Sequence, residues 1–463
     1  MQDEYDVIVI GAGPVGENAA GRCAGGGLKT LLVERELAGG ECSYWACMPS
    51  KTLLRPGAVV AAAGRVPGAD AAVSGAIDVK AALRWRDEIV SNYDDKYQVQ
   101  WIEDTDIAFA RGHARLVGER EIEIETDGNK RSVRARKAVV LATGSKAFMP
   151  PVEGLEDVGA WDNRGITEAK EVPPRLLVLG GGVVGVEMAQ AWKRLGSEQV
   201  TIVERGPRLL ANEEPFAGEE LAAAFASEGI DVLTGTSLES IARSGSDGPL
   251  SARLDDGREL QADEILVAVG RRPRTDDLGL ENVGLEPGEY VKVDDHLMAT
   301  KVAGDWLYAT GDVNGRALLT HMGKYQAKIA ADRILGRQVD AGPGSATVTR
   351  VVFTDPQVAA AGPTEAEARE AGLDVRTVSV GTSDVAGATV SGKGIQGTCQ
   401  LVVDNDRDVV VGATFTGPEV GEMLHAATVA IIGEVPVERL RHAVPAFPTV
   451  SEVWLGLIEQ ATS

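Results

Sequence analysis

Short apolar runs along the chain alternate with glycine-rich and small-residue segments. Residues 5–10, Tyr-Asp-Val-Ile-Val-Ile, predict a strand that ends at Gly11-Ala12-Gly13-Pro14-Val15-Gly16. A small-residue helix follows, and the run Thr30-Leu31-Leu32-Val33 then stops at Glu34, 23 residues beyond Gly11. The order is strand, GxGxxG, helix, strand, acid. Glycines at positions 11, 13 and 16 allow a tight turn and bring a pyrophosphate close to a helix N-terminus. A carboxylate at the end of the second strand can accept ribose hydroxyls. GxGxxG alone is weak; in this context it predicts a dinucleotide site.

The same pattern returns at 176–204. Leu-Leu-Val-Leu-Gly leads into Gly180-Gly181-Gly182-Val183-Val184-Gly185, then a helix, then Val-Thr-Ile-Val-Glu ending at Glu204. Two complete units imply two dinucleotides. Between them, 51–115 reads as mainly helical and polar, and 121–126 and 132–142 read as strands, the second leading to Ala142-Thr143-Gly144. A parallel run, Ile265 to Val269, closes the second unit at Gly270. Trp306-Leu307-Tyr308-Ala309-Thr310-Gly311-Asp312 then puts an acid just past a strand. From about 346 the pattern turns to β-rich α+β, with strand-like Val-Thr-Arg-Val-Val-Phe and Gln-Leu-Val-Val-Asp, a helix near 419–433 and a last helix from about 449.

The candidate chemistry lies in Gly39-Gly40-Glu41-Cys42-Ser43-Tyr44-Trp45-Ala46-Cys47-Met48-Pro49-Ser50-Lys51. On an ideal helix, residues five apart have Cα atoms roughly 8–9 Å apart. A disulfide needs them within about 7 Å. The pair therefore closes only if the chain is irregular before Cys47. Pro49 suits the first turn of a helix, which puts Cys47 at a helix N-terminus, where the dipole favours a thiolate. Two dinucleotides with a redox cysteine pair beside the first suggest a flavin and a nicotinamide exchanging electrons with a disulfide.

Composition narrows the alternatives. The 463 residues, 44% hydrophobic and 25% charged, are those of a soluble globular protein of two to four domains. Four cysteines make no disulfide framework, and Cys23 and Cys399, alone in apolar segments, are expected to pack. A net charge of −23 argues against nucleic acid or an anionic membrane as a partner. No apolar run approaches the ~18 residues of a membrane span, and no targeting segment precedes the first strand, so a cytoplasmic location is expected. No metal site is assigned.

The motifs GAGPVG, GGECSYWACMPSK, ATGS, GGGVVGVE, VGRRP, YATGD, VVFTDPQVAAAG and FPTVSE, in this order, resemble the class I pyridine nucleotide-disulfide oxidoreductases over the whole chain. Dihydrolipoamide dehydrogenase, glutathione reductase, mycothione reductase and mercuric reductase belong to that class. The resemblance implies an α/β protein with two Rossmann-like dinucleotide-binding domains and a C-terminal α+β dimerisation domain. Residues 1–150 would begin the FAD domain, 151–270 form the NAD(P) domain, 271–345 complete the FAD domain, and 346–463 form the dimer interface. It also implies a homodimer acting on a small-molecule electron acceptor. Cys42 would be the interchange thiol that meets substrate and Cys47 the thiolate facing the flavin. Lys51 would lie near flavin N5 with Glu187 as its carboxylate partner, and Asp312 would contact the ribityl–phosphate region. Gly11, Gly13, Gly16, Glu34, Thr143 and Gly144 complete the expected FAD contacts. Gly180, Gly182, Gly185, Glu204 and Gly270 are the expected nicotinamide set. Glu204 favours the free 2′-hydroxyl of NAD over NADP, although Arg205 and Arg208 follow closely.

One position departs from the family. Its tail usually reads His-Pro-Thr-x-x-Glu, and that histidine serves the partner's interchange thiol; here it reads Phe447-Pro448-Thr449-Val450-Ser451-Glu452. Phenylalanine moves no proton, so the usual acid–base step lacks its group. Four functions stay open: a disulfide reductase with another proton carrier, a specialised enzyme for an unusual acceptor, direct flavin transfer to quinone or oxygen with a vestigial disulfide, and a non-enzymatic role, which the intact nucleotide pattern disfavours. The second includes a proton-excluding site similar to that of 2-oxopropyl-coenzyme M reductase/carboxylase, which has histidine where Glu452 stands. Tyr44 and Trp45 are expected either to pack in a core or to narrow the approach to Cys42. A chain end without a cysteine pair gives no sign of mercury chemistry.

Overall fold

The computed structural model describes residues 3–73, 75–246, 248–339 and 347–463. The expected junction at 345/346 lies outside the described residues. Chain contacts divide the molecule into two units, one of residues 1–49, 86–148 and 270–345, the other of 50–85, 149–269 and 346–463.

The first unit is built on a seven-stranded sheet. Strand Asp3–Ile10 lies between Thr30–Glu34 and Asn129–Leu141, parallel to both, and Leu307–Ala309 extends the sheet beside Asn129–Leu141. Alternation along the first strand serves two cores at once. Val7 and Val9 pack with Ala19, Ala20 and Cys23 of the Pro14–Gly25 helix, whereas Ile8 and Ile10 pack with Leu116, Val133 and Trp306. Both faces are covered, so the strand reads as an unbroken apolar run. The end of the 51–115 stretch, expected to be mainly helical, instead enters strands Ala108–Arg111 and His113–Gly118. The first pairs with Thr30–Glu34 and forms the edge of the sheet, and the second pairs with Glu121–Thr126. Sheet pairing there overrides a weak local signal.

The second unit repeats the logic. Parallel strands run in the order Ile230–Thr234, Gln199–Glu204, Arg175–Leu179, Glu264–Val267. Leu176 and Val178 face Val186, Ala189 and Trp192 of the Val183–Leu195 helix, while Leu177 and Leu179 face the antiparallel meander 238–262. A five-stranded antiparallel sheet covers 349–417 and carries the Val420–Ile432 and Val453–Ala461 helices against it. Among the described residues no helix is long and apolar enough to cross a membrane.

Candidate active site

The two glycine-rich loops have the same geometry. A Cβ at Gly16 would come within 1.8 Å of the Gly11 carbonyl oxygen, and one at Gly185 within 2.0 Å of the Gly180 oxygen. Only glycine allows each helix to start that close to its strand. In the first loop Glu34 accepts hydrogen bonds from Ala12 N–H (2.8 Å) and Glu36 N–H (2.8 Å); in the second, Glu204 accepts from Gly181 N–H (2.6 Å) and Gly206 N–H (2.5 Å). Each acid therefore closes its own loop at the end of its second strand.

The first unit fits FAD on its own features. The Pro14–Gly25 helix opens at Gly13 with no side-chain cap, leaving N–H donors for a diphosphate. Thr143 and Thr310 stand past the ends of two adjacent parallel strands. Both hydroxyls are buried without a hydrogen-bond partner among the described residues. Orphaned polar groups at the carboxyl edge of a parallel sheet point to a ligand there. Beside them Arg271 donates to the Ser145 hydroxyl (2.6 Å), which donates to Asp312 (2.5 Å). Burial pushes the Asp312 carboxyl up, opposed by the Ser145 hydrogen bond and the Arg271 charge.

The cysteine stretch packs onto this loop. Gly39 N–H donates to the Ala12 carbonyl (2.7 Å), and a Cβ at Gly40 would meet Gly13 Cα at 2.8 Å. Gly39 and Gly40 both have positive φ, 105° and 56°. Cys42 then lies in the short Gly40–Tyr44 helix, and Trp45, at φ −133°, breaks it before a second helix starts at Cys47. This is the irregularity that the spacing required. Arg274 pins the turn through Glu41 (2.7 Å). No disulfide joins the pair, and Cys42 is hydrogen-bonded to Cys47.

Cys47 Sγ lies 3.3 Å from the hydroxyl of Thr320, the first residue of the Thr320–Ile334 helix. The sulfur thus stands at the positive ends of two helices, its own and this one, which favours its thiolate. The hydrogen bond to Cys47 and burial push Cys42 up, while Thr320 and the Lys324 charge pull it down. The proton of the pair accordingly belongs on Cys42. By contrast Cys23 and Cys399 are fully buried, and burial pushes both thiols up to about 12. They are packing residues, as expected.

Tyr44 and Trp45 are buried with Val90, and Tyr93 packs against both rings at 6.4 and 6.2 Å. Core packing accounts for them. The buried Tyr44 hydroxyl has no partner among the described residues, so Tyr44→Phe should leave stability unchanged or raise it by up to about 1 kcal/mol. Guanidinium unfolding followed by tryptophan fluorescence measures this; a loss of stability would show that the hydroxyl has a partner.

In the second unit Lys51 Nζ pairs with Glu187 at 2.7 Å, and Glu187, 2% exposed, also accepts from Phe353 N–H (3.0 Å). Lys51 further lies over the Phe353 ring at 5.1 Å. The sequence did not show what holds Glu187. Glu187, Gln190 and Arg194 share one face of the Val183–Leu195 helix. Gln190 exchanges hydrogen bonds with the Asp355 backbone (2.8 and 2.9 Å), and Arg194 binds the Asp355 carboxylate (3.0 Å) together with Arg65 (2.9 Å). Polar residues at i, i+3 and i+7 in a largely apolar helix were the available signal. Thr320 was also missed; a threonine at a helix start just after the Tyr308–Asp312 motif was its only trace.

The tail places Phe447 outward, 77% exposed. Glu452 accepts from Thr449 N–H (3.2 Å) and Gly387 N–H (3.2 Å), closing a capping box that holds the tail against the Ala386–Ser391 helix. Val444, Val429 and Ile432 are further exposed apolar side chains of this unit.

Residues 5–330 match the pyridine nucleotide-disulphide oxidoreductase family, and 348–457 match its dimerisation domain, which supports a homodimer. The chain is 36% identical over 470 residues to a dihydrolipoyl dehydrogenase of Thermus scotoductus, covering 99% of this chain and 96% of that one. It is 30% identical over 458 residues to a mercuric reductase of Lysinibacillus sphaericus, covering 97% and 81%. Among solved structures it resembles the Cu(II) complex of the HOCl-induced flavoprotein disulfide reductase RclA of Escherichia coli, with TM-score 0.85, 25% identity and coverage of 99% and 100%. The fold of LpdA from Mycobacterium tuberculosis is also similar, with TM-score 0.87, 23% identity and full coverage of both chains. The chain therefore belongs to the pyridine nucleotide-disulphide oxidoreductases, FAD-dependent enzymes that act through a disulfide.

Proposed function

We propose that this enzyme takes electrons from NADH and delivers them through Cys42 and Cys47 to a disulfide or another small acceptor, without a histidine at the exit. FAD, when bound, carries the electron pair between the nicotinamide and the cysteine couple. The observation that carries this reading is the pair itself: Cys42 hydrogen-bonded to Cys47, with the Cys47 sulfur at two helix starts. In this assignment Cys42 meets the acceptor and Cys47 holds the thiolate beside the flavin. Lys51, kept in place by Glu187, would supply the positive charge that the family sets beside the flavin. Asp312 with Ser145 serves the ribityl–phosphate region.

The preference for NADH rests on Glu204. Its carboxylate stands on the second glycine loop, where a 2′-phosphate would meet negative charge. The Arg208 guanidinium, a cation that could offset this, is engaged by the carbonyls of Leu210 and Ala211 (both 2.8 Å). At the exit, Phe447 would present an apolar wall to the partner's interchange thiol, with Glu452 holding the tail.

Anaerobic titration of the holoenzyme with NADH and with NADPH tests the assignment. NADH should reduce the protein at lower concentration and produce a long-wavelength thiolate–flavin absorbance that Cys47→Ser removes. Absence of that band in the unmodified protein would refute the cysteine relay. A screen of lipoamide, low-molecular-weight disulfides, quinones and oxygen then identifies the acceptor class. Quinone reduction that survives Cys42→Ala would favour direct flavin transfer.

A further inference from the structure

The Lys51–Glu187 pair is held by a loop, and the carboxylate that anchors this loop has no role so far. Strands Thr349–Val352 and Gln357–Ala361 pair as far as Val352 and Val358, which leaves 353–356 as the loop between them. The loop bonds to the Val183–Leu195 helix. Phe353 N–H donates to one oxygen of Glu187 (3.0 Å), whose other oxygen takes the Lys51 ammonium (2.7 Å). The Phe353 ring lies against the same ammonium at 5.1 Å, so one loop residue touches both members of the pair. One helical turn on, the fully buried Gln190 donates to the Asp355 carbonyl (2.9 Å) and accepts from its N–H (2.8 Å).

The Asp355 side chain closes the far end. Its Oδ2 accepts from Arg194 (3.0 Å), on the next turn of that helix, and from Arg65 (2.9 Å), which directly follows the Cys47–Gly64 helix. Lys51 stands near the start of this second helix, about 21 Å from Arg65 at 1.5 Å per residue. Between them, a Cβ at Gly57 would meet the Arg194 stem at 2.7 Å, so the two helices touch there. Lys51 is thus tied to Glu187 and Arg65 to Asp355, and the 353–355 loop takes part in both ties. Glu228 takes two further Arg194 donors (2.9 and 2.6 Å), which fixes the guanidinium in its plane. Burial pushes the Asp355 carboxyl up, but Arg65 and Arg194 outweigh it and hold the group below the usual carboxylate range.

We propose that Asp355 is a positioning residue for the Lys51 ammonium: clamped by Arg65 and Arg194, it fixes the loop whose Phe353 orients Glu187, and Glu187 aims Lys51. The proposal rests on the reading that sets Lys51 beside the flavin. A lysine has a flexible four-carbon stem, and one carboxylate partner that could itself turn would leave its direction open. A carboxylate locked by a clamped loop does not. Charge held in this way acts on a reduced flavin without first reorganising.

The first measurement reads Lys51 itself. The holoenzyme is trace-labelled with acetic anhydride, which acylates only free amines, and Lys51 labelling is followed by peptide mass relative to the exposed Lys301. Asp355→Asn keeps the size of the side chain and the backbone bonds of the loop but removes the charge. It should raise Lys51 labelling about threefold, the low end of coupling within one hydrogen-bonded network, with Glu187→Gln setting an upper bound of roughly tenfold. Arg65→Met should raise it about twofold, and Arg65→Lys, which keeps a charged donor there, should not. Arg65 is partly exposed, so its variants keep the test open if Asp355→Asn does not fold. The second measurement equilibrates the flavin with a dye of known potential. Lys51→Met should shift this equilibrium toward the oxidised flavin about tenfold, and Asp355→Asn about threefold in the same direction. Unchanged Lys51 labelling in Asp355→Asn and Arg65→Met overturns the proposal, even where Lys51→Met moves the flavin. A rise shared by all the lysines reports general loosening and overturns it too. If Lys51→Met leaves the flavin unmoved while Lys51 labelling rises in Asp355→Asn, the clamp stands and the placement of Lys51 beside the flavin falls.

Discussion

Cys42→Ser is expected to abolish turnover of a disulfide acceptor, by at least ~10³-fold, while NADH still reduces the flavin at its former rate. Loss of an essential nucleophile acts on that scale or above it. Serine keeps the size and the hydrogen-bonding capacity of the side chain, so the Gly40–Tyr44 turn and its Glu41–Arg274 anchor should persist. What serine cannot do is form a mixed disulfide, and the neighbouring Cys47 is assigned to the flavin side of the pair. Cys23 and Cys399 are fully buried, with thiols pushed up to about 12 by that burial, and so are poor nucleophiles at neutral pH. Stopped-flow reduction by NADH, paired with steady-state turnover of a disulfide, separates the two halves of the reaction. A variant that lost both would indicate damage to the flavin site. One that kept both would place the acceptor at the flavin and not at the cysteines.

The electron-input side was legible because its chemistry is local in sequence. A glycine loop, its helix and its acid all lie within one strand–helix–strand repeat, and the two repeats fold alike down to the hydrogen bonds of Glu34 and Glu204. The break before Cys47 was legible for a similar reason: helix geometry forbids the pairing otherwise. The surroundings of the cysteine pair were not. Thr320 touches Cys47 from a helix 273 residues away in sequence, which packs through Gly323 on Val15. Neither periodicity nor spacing encodes that contact. The 108–118 stretch failed differently, since its strands depend on partners at 30–34 and 121–126 and not on their own pattern. Tyr44 and Trp45 were ambiguous because an aromatic beside a cysteine says nothing about which way it faces; Val90 and Tyr93 supplied the answer.

The second large effect concerns position 447. Lipoamide turnover by the unmodified protein should be weak, and Phe447→His should raise it by at least about tenfold, a fraction of the 10²–10⁴ that a positioned acid–base group contributes. The substitution has little structural cost, because Phe447 is 77% exposed in its unit and the tail backbone is held independently by the Thr449–Glu452 box and by Gly387. Phe447→Ala is the control for bulk: it opens the same space without adding a titrating group. If alanine gives the same gain as histidine, the phenylalanine acts as a steric wall and not as a missing proton carrier. A gain through histidine should follow the ionisation of an imidazole, near pH 6.5 before any shift by its surroundings, and should be lost as the ring becomes protonated at lower pH in the direction of thiol oxidation. Fast lipoamide turnover without the substitution would mean that an existing group already supplies the acid–base function, and would remove the argument for a specialised exit. The substitution at 447 would then be a replacement of one proton carrier by another, with no change of substrate required.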